Sequence, residues 1–581
     1  MPFQVSPGVV VTERDLTTVV PNVATSIGAL AGGFQWGPVL ERTSVTTEND
    51  LVKYFGKPDD TTAEYFLTAA NYLAYSNNLI IVRNTLASAR NAVVGDVNAG
   101  TAMKIDNAED YDSKLSTLSG NLFIAKYPGK LGNSLSAYAI DSHGWAATVN
   151  AGSDIHAKFK ASFDRAPGTS TDVANAGGSN DEMHILVIDE DGLWTGTPGE
   201  VLETHGYVSK ASDAKRIDGS TNYVGNVLRN ESEYIYLGVA NELTNTSTDS
   251  GSEVTAGSPK AGNTFKLINS VTDLQKMPGG SLTGGVDGNA LTDSELQAGY
   301  AMYTNPDVVD VTLVMGGPAS TTTSRYIIDN ISSVRKDCVA LVSPGKASVV
   351  NAGTAQVANL TADNTALGSS SYAIMDGAWK YQYDRYNDVF RYAPMNGDIA
   401  GLCARTDFTN DAWWSPAGYN RGTIKNIVKL SWEASKADRD TMYQIGINPL
   451  ITPRGAGVIL FGDKTMQTVP SAFDRINVRR LFIVLEKALA IAAKTMLFEF
   501  NDEFTRAQFV NLVSPFLRDV QGRRGITDFK VVCDSSNNTG QVVDTNNFVG
   551  DIYIKPSRSI NFIQLNFIAA RTDVSFTEIG G

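Results

Sequence analysis

The chain has 581 residues, of which 42% are apolar and 9% aromatic, so at ~100–200 residues per domain it can build about four cores. Its 48 basic against 62 acidic residues give a net charge of −14, which argues against a protein whose main task is wrapping nucleic acid, because phosphate binding needs a basic surface. The three cysteines, Cys338, Cys403 and Cys533, are too few and too scattered for a disulfide framework or a zinc site, and a cytosolic origin is the natural reading.

The start MPFQVSPGVVVTERD has neither a basic nor an apolar signal region, so no signal peptide is expected. After the turn at Pro7-Gly8, the run Val9, Val10, Val11 and Thr12 has high strand propensity but no neighbouring partner strand. Thr17–Asn22 reads as a linker. Ser26–Pro38 predicts a strand and a Gly-Pro turn, and Thr61 with Glu64 has capping-box spacing for a helix carrying Tyr65, Ala69, Tyr72 and Leu73 on one face. Leu79–Arg83 is a short buried strand.

From residue 85 to 285 the composition turns polar and loop-rich, with short strands at Leu122–Lys126, His184–Asp189 and Tyr234–Leu237. This predicts an inserted, β-rich region. From Leu291 helices and apolar strands alternate: helix Leu291–Tyr303, strand Val308–Met315, helix Ser324–Lys336, strand Cys338–Val342. That alternation implies a sheet with parallel pairing. Asn477 is a good N-cap for a helix from Val478 to about Phe500. A second helix begins near Asn501-Asp502, and Pro515 should kink or end it. Strands follow at Phe529–Cys533, Phe548–Lys555 and Ile563–Phe567. At the end, Val574 and Phe576 alternate with polar residues in another strand without a partner. No apolar run reaches membrane length; the best candidate, Leu481–Lys494, is broken by Glu486 and Lys487.

Catalytic and cofactor signatures are missing from the sequence. The histidines, His143, His156, His184 and His205, show no metal-ligand spacing, and neither a G-x-S-x-G elbow nor a phosphate-binding loop occurs. Asp189–Gly192 resembles a calcium loop, but Trp194 stands where that loop needs glycine. Asp407, Asp411, Trp413 and Trp414 read as a turn with two packed indoles. Arg479 and Arg480 fall in the first turn of a helix, where the macrodipole repels cations, so they call for carboxylate partners within or between subunits; a solvated pair is equally open. Arg518, Arg523 and Arg524 form a basic patch that is either a solvated loop or a contact to an acidic partner. Two unpaired terminal strands on a large chain without catalytic groups point to an assembly protein that pairs strands between subunits.

The chain resembles the tail sheath family of contractile-tailed bacteriophages. The resemblance is carried by Ser6-Pro7-Gly8-Val9, by Phe34–Pro38 (FQWGP), by AKYPGKLGN (Ala125–Asn133) and SLTGGVDG (Ser281–Gly288), and most specifically by INPLITPRGAGVILFGDKT (Ile447–Thr465), RINVRRLFIVLEKAL (Arg475–Leu489), FEFND (Phe498–Asp502) and DIYIKPSRSINFIQLNF (Asp551–Phe567). It implies a structural, non-enzymatic subunit without cofactor that forms a homo-oligomer of stacked hexameric rings around a tail tube. It implies tail tube, baseplate and tail terminator proteins as partners, with neither nucleic-acid binding nor direct membrane insertion. It implies assembly in the host cytoplasm and a place in the virion. A sheath of a phage-tail-like bacteriocin or secretion-type injection system is the alternative, and the long insertion favours a phage.

The fold class expected is α+β and multi-domain. Residues 1–22 form an N-terminal arm and linker, and 23–84 with 286–418 a middle α/β domain. Residues 85–285 are the inserted outer region, 419–570 an inner α/β domain, and 571–581 a C-terminal arm. In the family the arms of neighbours join a sheet in a third subunit and form a mesh; carried over by position, the arms here are Val5–Asp15 and roughly Arg571–Glu578, with their strands at Val9–Thr12 and Val574–Phe576. The Arg518, Arg523 and Arg524 patch is the candidate tube contact.

Overall fold

The computed structural model describes residues 24–95, 103–118, 121–147, 153–243, 253–267, 277–561 and 563–565. The arm strands Val9, Val10, Val11, Thr12, Val574 and Phe576 lie outside the described residues.

The body is organised by one seven-stranded sheet. Its strands are β1 (Gly28–Gly32), β2 (Arg42–Val45), β3 (Leu79–Arg83), β4 (Leu313–Met315), β5 (Val339–Val342), β6 (Ala373–Asp376) and β7 (Ile447–Asn448), in the order β7-β6-β5-β4-β1-β3-β2. All neighbours pair in parallel except β2, which runs antiparallel to β3 at the edge. The sheet therefore joins two distant parts of the chain where β1 meets β4, with Gly28 opposite Leu313. Parallel strands covered on both faces need apolar residues in both directions. Leu30, Ile81, Leu341 and Ile374 point into one core, and Ala31, Val82, Val342 and Met375 into the other.

Helix α1 (Ala63–Leu73) lies on the first of these cores and is buried almost all round. Gly28 and Gly32 allow it close: a Cβ at either would meet the ring of Tyr72 or Tyr65 at 2.7 and 2.3 Å. The predicted Thr61–Glu64 capping box does not form. Asp59 instead accepts from both the amides and the hydroxyls of Thr61 and Thr62, and Glu64 pairs with Lys346 at 2.6 Å. Helix α2 (Asn396–Thr409) crosses α1 closely.

Residues 84–312 leave and return between β3 and β4. They carry a four-stranded antiparallel sheet (Gly279–Ser281, Leu135–Ile140, Glu182–Asp189, Glu200–Ser209) and a three-stranded one (Val93–Gly95, Asn121–Ala125, Ile235–Leu237). Short helices accompany them, among them Asp154–Ser162 and Val224–Glu231. This region is joined to the body by buried groups. Arg83 donates to the carbonyls of Phe34 and Gly37 and also to that of Pro128, and Trp36 packs edge-on to Tyr127 and Trp194.

The C-terminal part holds two long helices, α3 (Ile476–Ala493) and α4 (Glu503–Gly522), and a two-stranded antiparallel sheet of Ile526–Val532 with Asp551–Pro556. Their shared core includes Leu481, Leu485, Phe509, Val513 and Leu517. Two expectations change here. Asn477 is not the N-cap of α3, which starts one residue earlier, after Arg475. Pro515 neither ends nor bounds α4, which runs through it from the Asp502 cap, whose carboxylate accepts from the Thr505 amide. The described residues of the predicted strand Ile563–Phe567, which are 563–565, are not in a strand.

Candidate assembly interface

The earlier start of α3 places Arg479 and Arg480 at its fourth and fifth positions, where backbone amides are already paired and the dipole acts less on a cation. Both are buried. Arg480 donates to the Asp407 carboxylate of α2 at 2.5 Å and reaches the carbonyls of Cys403 and Thr25. Burial pushes the Asp407 carboxyl up, with Arg480 opposing it; the guanidinium itself is held up by Asp407 against its own burial. Among the described residues Arg479 has no carboxylate at ion-pair distance. It donates to Ser371 at 2.9 Å and Tyr372 at 3.2 Å, and lies over the rings of Tyr372 and Phe473. The pair is thus neither solvated nor free for a neighbour. Arg480 gathers Thr25, at the start of the described N-terminal part, with α2 and α3.

Residues 557–561 are held beside the same helix. Asp463 accepts from Ser559 at 2.6 Å, Asn561 at 2.9 Å, Arg475 at 3.0 Å and Tyr443 at 3.1 Å. Burial raises its carboxyl, but these donors win and keep it below the usual carboxylate range. Asn477 donates to the carbonyl of Ser557, so the residue predicted as a cap is a clamp on this segment. Sequence reasoning passed over Asp463 because its partners are 12, 20, 96 and 98 positions away, and no local spacing marks them.

Beside this clamp opens a cleft of about 790 Å³. Trp414 forms one wall, with Arg421 and Arg524 over its ring at 5.1 and 5.6 Å. Five cationic side chains face the cleft, Arg421, Lys436, Arg439, Arg524 and Arg558, against the carboxylates of Asp440 and Asp463. Among the described residues none of the five cations has a carboxylate within ion-pair distance. Of the predicted patch, Arg523 pairs with Asp411 and Asp519, Arg524 turns to Trp414, and Arg518 is exposed on α4. The two indoles do pack at the turn after α2, with Trp413 donating to the carbonyl of Arg523 at 3.1 Å.

Groups that resembled chemistry are engaged structurally. The Asp189 carboxylate accepts from Ser134, the Trp194 amide and Thr195, which fills the position a cation would need. His184 stacks on Phe163 at 4.0 Å and His205 pairs with Glu203 at 3.1 Å. No cluster of three metal-ligating side chains occurs among the described residues, and no helix there is long and apolar enough to cross a membrane.

Thr25 and Ser557–Asn561 are thus both tied beside α3, next to an open charged cleft. Residues 289–466 match the phage tail sheath protein central domain, 468–570 the phage tail sheath C-terminal domain, and 25–83 the tail sheath protein Gp18 domain III N-terminal region. The chain is 34% identical to the tail sheath protein of Vibrio phage KVP40, covering 99% of both chains, and 34% identical to that of Enterobacteria phage T4, again over 99% of each. In fold it is similar to the sheath tail protein from Listeria innocua, with a TM-score of 0.51 at 12% identity, covering 92% of this chain and 96% of that one. The chain belongs to the phage tail sheath family. It is a structural protein of a phage tail, and the full-length phage relatives favour a virion over a bacteriocin or secretion-type sheath.

Proposed function

We propose that this subunit polymerises as stacked hexameric rings around a tail tube, is held there in a metastable extended state, and contracts to drive the tube through the host envelope. Full-length similarity to phage tail sheath proteins is the observation that carries this reading. Energy is then stored in subunit packing, a bistable arrangement that needs no catalytic site. The tube protein, baseplate and tail terminator are its partners, and it assembles in the host cytoplasm. It binds no nucleic acid and inserts into no membrane itself.

Connection between subunits falls to the terminal arms, Val9–Thr12 and Val574–Phe576. The sheet of Ile526–Val532 and Asp551–Pro556 supports this, because among the described residues it has two strands, whose outer edges can be paired. Each arm contributes several main-chain hydrogen bonds at ~0.5–1.5 kcal/mol apiece, modest singly and large when repeated around every ring. Of the candidate tube contacts Arg518, Arg523 and Arg524, Arg523 is held by Asp411, while Arg518 and Arg524 are exposed and have no carboxylate at ion-pair distance among the described residues, which supports these two as contacts to an acidic tube surface. Deleting Met1–Asp15, or ending the chain after Ala570, should leave a folded monomer with a near-unchanged melting temperature that builds no sheath. Regular contracting sheaths from either truncation would overturn the role of the arms.

A further inference from the structure

Between α3 and α4 the chain makes a knuckle, LFEFNDEF (Leu497–Phe504). Phe498, Phe500 and Phe504 are 104%, 84% and 76% exposed. Such exposure of three large rings in one turn is far from the scattered apolar residues of an ordinary surface. Phe498 also sits at φ +70°, a left-handed conformation that a bulky residue rarely adopts. Glu499, Asp502 and Glu503 alternate with these rings, and none of the three has a cationic partner at ion-pair distance among the described residues. The knuckle is therefore aromatic and acidic. The cleft beside Trp414 is aromatic and basic, and its cations are equally unpaired.

The two features lie at opposite ends of the same helix. Glu503 opens α4, while Arg524, on the cleft wall, lies two positions beyond its last residue; at ~1.5 Å per residue the 20-residue helix separates them by about 30 Å. One molecule thus presents a knob at one end and a matching hollow at the other, and cannot satisfy both within itself. A contact of this kind is heterologous, and heterologous contacts propagate into rings or helical filaments.

We propose that the Phe498–Phe500 knuckle of one copy docks in the Trp414 cleft of a second copy of this chain, with Glu499 and Glu503 facing Lys436 and Arg439. This rests on the sheath reading and names a side-chain contact for it, distinct from the strand pairing of the arms. The charge match commits the cleft to this occupant. Burying two phenylalanines would remove ~150–250 Å² each from water, enough for the centre of an interface.

The test uses the full-length protein and its concentration threshold for polymer, read by sedimentation and negative-stain microscopy. The double variant E499K/E503K, and separately K436E/R439E, should each raise that threshold by at least about tenfold, as expected for loss of a central contact. The melting temperature should stay nearly unchanged, since Lys436, Glu499 and Glu503 are exposed and Arg439 is half-buried at the cleft. Combining the four reversals in one chain should restore assembly, because the charges are then swapped rather than opposed. In addition, the F498C/S415C protein under mild oxidation should give a ladder of dimers, trimers and higher species. A monomer-only crosslink, or assembly at the wild-type threshold by both double variants, would overturn the contact while leaving the sheath reading in place. A wild-type protein that forms no regular polymer would remove the sheath reading and this contact with it.

Discussion

Arg480 and Asp407 are each about 5% exposed, so both pay for desolvation and neither can be removed alone without leaving a bare charge in the interior. Arg480→Met should therefore lower stability by about 3–5 kcal/mol in urea titration, and adding Asp407→Leu should recover most of that loss. An effect of the single variant below ~1 kcal/mol would show that the pair is wetter than its burial indicates. A second residue sets a pH dependence. Burial pushes the Asp376 carboxyl up to about 8, although Ser343 donates to it at 2.5 Å. A carboxyl raised in the folded state keeps its proton where the unfolded chain has lost it. Stability from this residue is thus full below pH ~4, falls as pH rises towards about 8, and is flat above. Asp376→Asn should flatten the melting temperature between pH 5 and 8. A wild-type curve already flat across that window would contradict it.

At the scale of elements, the apolar strands were legible in the sequence and the helix ends only in part: α4 starts at Asp502 as expected, whereas the caps expected at Thr61 and Asn477 do not form. Leu79–Arg83 is one of the strands found with its own boundaries, because a parallel strand buried on both faces leaves an unbroken apolar run. Val308–Met315 was read too long: only Leu313–Met315 pairs, although Val309 and Val311 are buried as well. Caps failed for a different reason. Asp59, two residues before the expected cap, outcompetes Thr61, and Asn477 is drawn off by Ser557, and neither partner is visible in local spacing. Pro515 was expected to break its helix, yet α4 continues past it on the strength of Leu512, Val513 and Leu517 in the core. The ring removes one backbone donor from an exposed face, so Pro515→Ala should stabilise the protein, by up to about 3 kcal/mol. A destabilising result in thermal melts would mean that the proline shapes the α3–α4 end deliberately.

For the molecule as a whole, the sequence pointed to assembly through its unpaired terminal strands, while the clamps that hold Thr25 and residues 557–561 beside α3 were invisible before the fold brought distant residues together. The arginines at 479 and 480 drew notice as a local cost, which the fold explains as one buried ion pair and one guanidinium stacked between rings. We propose that residues 85–285 form a peripheral module on this body. The two sheets of that region share no strand with the seven-stranded sheet. The links across the boundary include Arg83 to the Pro128 carbonyl, Trp36 against Tyr127 and Trp194, Lys53 with Glu233, the Val39 amide to the Asp106 carbonyl, Asn107 to the Val39 carbonyl, Arg90 with Val286 and the Lys130 amide to Asp287. Replacing Thr85–Leu282 by a short Gly-Ser linker should leave a folded, polymerising core, with Trp36 newly exposed and its fluorescence red-shifted. An insoluble or unfolded product by circular dichroism would make the module integral.

The central claim is that this chain builds a sheath by itself. Negative-stain microscopy of the purified full-length protein tests it most directly. Regular hollow tubes of uniform diameter, with six-fold end views, are the predicted result. Monodisperse single particles or irregular aggregates at every concentration and salt tried would contradict it.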